Sequence, residues 1–357
     1  EAVGRAARDF LSAALAAPEV AFSAPRRRAG APAVPARWLV RLQAMLGADL
    51  PPHPAVSWAR ALDRPAGPPE PARAPEPVPP LRLRPRQLAV TDIATWLADP
   101  YAIYARHILG LKPLPGIAEV ADAADFGRIV HRALAAFFNG AGAARPAEAA
   151  LEEVLRQELA RADLPPYLGN WWWPRLKRIG AWVAEAEVER RAAAAPLALA
   201  IEQSGQWTLA GPAGPFLLAG RADRIEHRGN AGLAILDYKT GRIPTAREVA
   251  SGRAPQLPLL AAMAEAGAFG PEFAAGVSEL TYWRVGGGAD PGEVGGLGTP
   301  EQVRERIEEA VAGLTGLIAA FDDPDRPYLA QPHPGNPPAG SEYSDLARLA
   351  EWAPGGE

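Results

Sequence analysis

The stretch DRPAGPPEPARAPEPVPPLRLRP, residues 63 to 85, most constrains how this chain can fold. Proline fixes φ, lacks an amide hydrogen and pushes the residue before it out of the helical region. Such a density of proline builds neither a helix nor a central strand, and it reads as an extended linker of polyproline type. The 357-residue chain therefore divides into an N-terminal piece, 1–62, a linker, 63–85, and a large C-terminal domain, 86–357. With 48 % apolar residues, the larger piece has enough to bury a sizeable core.

Before the linker, residues 1 to 19 read as an Ala-rich helix, followed by a short strand, a Pro-rich loop with the run Arg26–Arg28, and a helix from about Pro35. After it, Thr91 is a candidate N-cap for a helix that Asp99-Pro100 halts, with a second helix beyond. Phe126, Val130, Leu134, Phe137 and Phe138 recur at helical spacing, and that helix stops at Gly140. Residues 147 to 195 look helical, interrupted by LPPYLGNWWWP. From residue 198 the period shortens to that of strands: ALAIEQ, GQWTLA, FLLAGRADRIEHR and LAILDYKTG. A helix, APQLPLLAAMAEAG, then a strand, SELTYWRV, and a helix from Thr299 to about Phe321 complete the chain. This order specifies an α/β fold of the α+β type, a mixed central sheet flanked by helices rather than a doubly wound parallel one.

The chemistry concentrates in two of those strands. Side chains two apart on a strand share a face, so Asp237 and Lys239 project together, with Ile235 ahead of them. Asp223 lies near the end of the preceding strand, and a hairpin through HRGNAG, turning at Asn230 and Gly232, brings it close. Two adjacent carboxylates repel unless a proton or cation sits between them. Their hard oxygens suit Mg²⁺, with Mn²⁺ as a substitute. Such a metal lowers the pKa of a bound water and stabilises the extra charge of a phosphorane-like transition state. Only three of the 37 basic residues are lysine, and Lys239 is one of them. A compact ammonium can orient a water or neutralise a phosphate beside a metal, where a forked guanidinium fits poorly. The alternative for Asp237 and Lys239 is a solvated ion pair on an edge strand.

GRADRIE, then ILDYKTG, then QLPLLAAM at 256–263 resembles the RecB-type branch of the PD-(D/E)XK nuclease superfamily, and FGRIVH matches its upstream helix motif from Gly127 to His131. The resemblance covers roughly residues 85–352. It implies that His131, Asp223 and Asp237 are metal ligands, together with the backbone carbonyl of Tyr238. It also implies that Lys239 is the catalytic lysine and that Gln256 supports the site. The flanks, APEVAFSAPRRRAGAPAVPARWLVRL and EYSDLARLAEW, resemble the C-terminal part of AddB-family double-strand break repair proteins, with 1–62 a remnant of their helicase-like domain. That resemblance implies a Mg²⁺-dependent DNA exonuclease acting on single-stranded ends from unwound duplex, beside an AddA-type helicase-nuclease partner. A catalytically inactive nuclease fold serving as a scaffold for DNA or a partner is the alternative.

Composition narrows the rest. There are no cysteines, which excludes disulfides, thiolate zinc sites and the Cys-ligated iron–sulfur cluster of many relatives. Asp99 stands where an upstream cluster cysteine belongs, so packing must join the ends of the domain. A net charge of −4 argues neither for nor against nucleic acid. No signal peptide or apolar run of about 20 residues is evident, so the expectation is a cytoplasmic protein without a membrane partner. The first residue, Glu1, is not methionine, in keeping with a piece of a longer chain. Arg224 either touches phosphate or pairs with Glu226 or Asp237. Glu202 in the first strand reads as a surface strand position, with a place near the metal as the alternative. Trp171–Trp173, near Arg175 and Lys177, are core residues or a stacking platform for bases, and core packing is the first expectation.

Overall fold

A computed structural model describes residues 2–47, 50–64, 67–68, 72–112, 114, 121–140, 147–332 and 341–353. The chain forms two compact units, Glu1–Pro71 and Ala72–Glu357. The first unit consists of α1 (Ala2–Ala14), a ladder of β1 (Arg27–Arg28) with β2 (Ala31–Pro32), α2 (Arg37–Leu46) and α3 (Ala55–Leu62). The strand expected before the Pro-rich loop does not form; the ladder falls instead within the arginine run, read from sequence as loop, whose turn is made by Ala29 and Gly30, both at positive φ. Neither α2 nor α3 buries a side chain.

The second unit starts within the proline-rich stretch. The Tyr328 amide donates to the Pro77 carbonyl at 2.9 Å. Arg84, 5 % exposed, donates to the carbonyls of Pro79, Phe321, Asp323 and Pro324. A guanidinium carries five N–H donors, enough to satisfy carbonyls left open at a helix C-terminus. One arginine thereby ties the beginning of this unit to its last long helix.

The elements that follow are β3 (Gln87–Ala89), α4 (Val90–Ala98), α5 (Pro100–Ile103), α6 (Ala123–Asn139), α7 (Glu148–Arg161), α8 (Pro166–Ala193), β4 (Ala198–Leu209), β5 (Phe216–His227), β6 (Leu233–Lys239), α9 (Ala246–Ala250), α10 (Gln256–Glu265), β7 (Val277–Arg284), β8 (Glu293–Gly296), α11 (Pro300–Asp322) and α12 (Leu349–Trp352). The sheet is six-stranded and mixed, in the order β3-β5-β6-β7-β8, with β4 also paired to β5. The β3–β5 and β6–β7 pairs are parallel; the β4–β5, β5–β6 and β7–β8 pairs are antiparallel. This is the expected mixed sheet flanked by helices.

Both faces of the sheet are covered, which explains the unbroken apolar run of β6 from Leu233 to Leu236. Leu233 and Ile235 pack with α4, α10 and α11, while Ala234, Leu236 and Tyr238 pack with α6, α7 and α8. Three local expectations need correction, and two short strands were not expected. Helix α4 begins at Val90 after Ala89, whose amide donates to Asp92, so Thr91 is not the cap. The run WWWP lies inside α8, which breaks from α7 at Leu164-Pro165 instead. ALAIEQ and GQWTLA form one strand, β4. The short edge strands β3 and β8 carry no periodicity that three or four residues can show.

The ends of the unit are joined by packing and hydrogen bonds. Tyr101, Ala102 and Ala105 form a small core with Ala330, Tyr343 and Ala347. Buried Asp99 accepts from the Ser341 hydroxyl at 2.6 Å, and the Tyr343 hydroxyl donates to the Leu111 carbonyl at 2.9 Å. Among the described residues, no helix is long and apolar enough to cross a membrane.

Candidate active site

The site lies where one edge of β5 changes partners. Along that edge β5 pairs with β3 at residues 217–219 and with β6 at 224–227, and no registered pair falls between. A gap of this kind exposes backbone and creates a crevice, as at the switch points of open α/β sheets. At its end the Tyr238 amide donates to Asp223 Oδ2 at 2.8 Å, so a side chain takes the place of the next ladder bond. The register puts Asp223 one step past Arg224↔Leu236, opposite Asp237.

On the other edge of β5, the register with β4 places Glu202 opposite Asp223, although the pairs on either side, Ile201↔Arg224 and Gln203↔Ala222, are the ones that form. Glu202 has φ of +51°, a left-handed conformation that costs a residue with a Cβ free energy and clusters at functional sites. The same point marks a change of face. Leu218 and Ala222 enter one core before it and Ile225 after it, with Ala200 and Leu209 flanking the change on β4. The local break turns three acids, Glu202, Asp223 and Asp237, into a row across three strands.

Helix α6 brings His131 to this row. Its Nδ1 lies 3.5 Å from Asp223 Oδ2 and 3.9 Å from Glu202 Oε1. Burial pulls the imidazole pKa down, but hydrogen bonding to Asp223 and Glu202 and the charges of Asp223 and Asp237 outweigh it and lift it to about 10. The helix can approach closely because Gly127 faces Thr240: an added Cβ would come within 3.2 Å of Oγ1.

At the other end of the row, Lys239 Nζ stands 2.8 Å from Asp237 Oδ2. Gln256, at the start of α10, donates from Nε2 to Asp237 Oδ1 at 2.9 Å and accepts from Lys239 Nζ at 3.2 Å. One amide thus fixes both partners. Burial first, then the charge of Asp223, raises the Asp237 carboxyl pKa to about 6, against the opposing pull of Lys239 and His131.

Behind the row, the next side chains on β5 are held in a closed lattice. Arg224, fully buried, bonds both carboxylate oxygens of Glu187 at 2.8 Å and pairs with Glu226. Glu226 also accepts from Arg190 and Arg228, which both reach Glu279 on β7. Arg224 further stacks its guanidinium over Phe138 at 4.5 Å and lies 3.4 Å from the Tyr238 hydroxyl. This resolves the two readings of Arg224 in favour of a structural pair, with Glu187 added to Glu226 and Asp237 left out.

One ligand atom each from His131, Glu202 and Asp223 can come within 4.8 Å of one another, a spacing that holds a metal ion. Asp237 adjoins this trio through Asp223, while its own carboxylate is bound to Gln256 and Lys239. Buried Glu202 Oε2 and Asp237 Oδ2 make no hydrogen bond in good geometry, though Arg221 and Lys239 stand 2.8 Å away. Under-satisfied carboxylate oxygens beside an imidazole fit a hard divalent cation. Of the residues expected at the site, the structure brings His131 to Asp223, and Lys239 and Gln256 to Asp237, while the Asp237 carboxylate stays outside the metal-spaced trio. Tyr238 contributes its amide to Asp223 and buries its ring against Phe138 and Trp283. Glu202 joins them through its position opposite Asp223, which favours its place near the metal over a surface position.

An acid, then acid-x-Lys across a forked sheet edge, with a histidine from a preceding helix, defines the class of divalent-metal sites anticipated from the motifs. The chain belongs to the PD-(D/E)XK nuclease superfamily, whose profile matches residues 87–335. Nucleases of this superfamily usually use divalent metals, and the acidic cluster with His131 fits that habit. Uncharacterized proteins of Rickettsia typhi and Rickettsia bellii are each 32 % identical, over 179 and 175 residues, which is 48 % of this chain. The chain spans only about a fifth of the length of those relatives, 20 % and 21 %. The crystal structure of SSO0001 aligns over 64 % of this chain and 76 % of its own, with a TM-score of 0.26 and 11 % identity, and it adds nothing to the assignment.

Proposed function

We propose that this chain is the nuclease part of an AddB-type subunit, a Mg²⁺-dependent DNA exonuclease that trims unwound ends during double-strand break repair beside an AddA-type helicase-nuclease, in the cytoplasm. The observation that carries the catalytic reading is the row Glu202–Asp223–Asp237 completed by Lys239 and His131 in a member of this superfamily. The flanking sequences support the AddB part, with 1–62 as the helicase-like remnant.

His131, Glu202, Asp223 and Asp237 would hold the cation, with the Tyr238 carbonyl as a further ligand. When bound, it lowers the pKa of a water and stabilises charge on the phosphoryl oxygens. The protein's own groups supply the rest. Lys239, held by Asp237 and Gln256, presents a single ammonium to the attacking water or the phosphate. Gln256 keeps Asp237 oriented when Lys239 turns toward substrate. The β5–β6 ladder holds the Tyr238 amide against Asp223, and Arg224, anchored by Glu187, meets the Tyr238 hydroxyl behind it.

The test is cleavage of 5′- and 3′-labelled single-stranded DNA with Mg²⁺, with EDTA, and with Lys239→Ala and Asp237→Ala. Metal-dependent cutting lost in both variants is the expected result, and the labelled products give the polarity. A folded protein that neither cuts nor binds Mn²⁺ would leave the inactive scaffold in its place.

A further inference from the structure

The three consecutive tryptophans of α8 have three different environments. Trp172 is 3 % exposed and sets its edge against Phe126 at 5.3 Å. Trp173 carries the Arg156 guanidinium over its ring at 4.4 Å. Trp171 is 70 % exposed. It lines a cavity of about 510 Å³ together with Thr240 and Gly241, the two residues that follow Lys239 along the chain. The cavity begins one residue along the chain from the catalytic lysine, which does not itself line it, and its size lies within the ~300–1,000 Å³ of small-ligand pockets.

The remaining walls say what kind of group it takes. Ala121, Ala123, Ala124 and Gly241 are small, leaving a slot beside the indole face. The N-terminus of α6, which would attract an anion, is already capped: Asp122 accepts from the amides of Ala124 and Asp125 at 2.8 and 3.2 Å. Arg175 is engaged by the Gly286 carbonyl and lies over the Phe126 ring at 4.3 Å. An acid and a committed arginine make a poor phosphate site and a suitable slot for an uncharged aromatic ring.

We propose that Trp171 is the stacking platform for a nucleobase next to the scissile phosphate, which makes the site selective for single-stranded nucleic acid. This deepens the nuclease reading and rests on it. The phosphate lies at the metal–Lys239 end, and the adjoining base turns past Thr240–Gly241 onto the indole. A base inside a duplex already has both faces stacked, and even a terminal one is held by its pair, so neither enters the slot without unpairing. Stacking tolerates any base, so the slot selects strand state and not sequence.

The test compares wild type, Trp171→Ala and Trp171→Phe. Binding is measured in EDTA to an oligothymidylate single strand and to a blunt duplex, and steady-state cleavage of the single strand is measured with Mg²⁺. Trp171→Ala is expected to weaken single-strand binding roughly 5- to 150-fold. It should raise KM far more than it lowers kcat and leave duplex binding unchanged, and Trp171→Phe should recover most of the loss. Unchanged single-strand binding and KM in an alanine variant that still cuts would overturn the platform while leaving the nuclease intact. Equal losses on single strand and duplex would also overturn it, because the indole would then be a general contact. A wild-type protein that neither binds nor cuts any nucleic acid would sink the nuclease reading, and the platform with it.

Discussion

Strand β5 carries charged groups of two kinds, one residue apart. Asp223 belongs to a row of three acids faced by Lys239, His131 and the exposed Arg221. Arg224 belongs to a lattice in which Glu187, Glu226 and Glu279 are matched by Arg190, Arg224 and Arg228. In the lattice charges are matched and buried, and the Glu226 carboxyl is held below its usual range because Arg224, Arg190 and Arg228 outweigh its burial. In the row the Asp237 carboxyl is pushed above its usual range by burial and by Asp223. The lattice is closed by buried partners and fixes a shape, whereas the row is faced by half-exposed or exposed cations that a ligand can displace, and in that sense its charge is left open.

The largest expected effect comes from breaking the saturated side. Arg224→Ala leaves Glu187 and Glu226 buried without their central cation, and stripping one partner from a buried pair costs about 3–5 kcal/mol. Urea denaturation should show this loss whether or not metal is present. A stability within 1 kcal/mol of wild type, about a quarter of that cost, would mean that the lattice is dispensable for folding.

Breaking the unsaturated side should do the reverse, sparing the fold and removing the chemistry. Lys239→Ala and Asp223→Asn are each expected to lower cleavage by about 10²–10³-fold, the typical loss when one preorganised electrostatic group is removed. Their melting temperatures without metal should stay within a few degrees of wild type. Wild-type rates in Lys239→Ala would remove the ammonium from the mechanism.

The sequence carried more of the row than of the lattice, and for a physical reason. Asp237 and Lys239 are two apart on one strand and Asp223 is one hairpin away, so local periodicity brings them together. The lattice joins α8 to β5 and β7, and Glu187 is 37 residues from Arg224, so no spacing rule links them. Alternation along β4 favours a surface position for Glu202 because it says nothing of a left-handed backbone at that residue. The tryptophan run was legible as composition only: which ring turns outward depends on how α8 packs against α6 and α7.

The pH dependence of stability separates the two regions further. The Asp237 carboxyl pKa rises in the fold from 3.8 to about 6, so the folded state binds the proton more tightly than the unfolded one. Its stabilising contribution is complete below pH 3.8 and is lost as pH rises to about 6. Glu226 runs the other way: its folded pKa is lowered, so its contribution is present at neutral pH and lost on acidification. In EDTA, Asp237→Asn should therefore flatten the fall in stability between about pH 4 and 6, worth on the order of 1.4 kcal/mol per unit of pKa shift. Thermal melts at several pH values measure it. An unchanged profile in the variant would show that Asp237 is not the group under strain.

The smallest effect tests where the row ends. If Glu202 is a working member of it, Glu202→Gln removes one anionic ligand and leaves the shape of the side chain. The expected cost is about 10–100-fold in Mn²⁺ affinity, the range for losing a supporting group at a metal site. Arg221 provides the control, because its guanidinium stands 2.8 Å from Glu202 on an exposed side chain and competes for the same oxygen. Arg221→Gln should then tighten Mn²⁺ slightly while Glu202→Gln weakens it, both read by calorimetric titration. If instead Glu202→Gln binds Mn²⁺ as well as wild type, Glu202 is a surface acid that happens to face Asp223. The strained φ at that residue would then serve only to turn β4 from one core to the other. Opposite signs in the two variants would place Glu202 with Asp223 and Asp237, on the side of the strand where charge is left open for a cation.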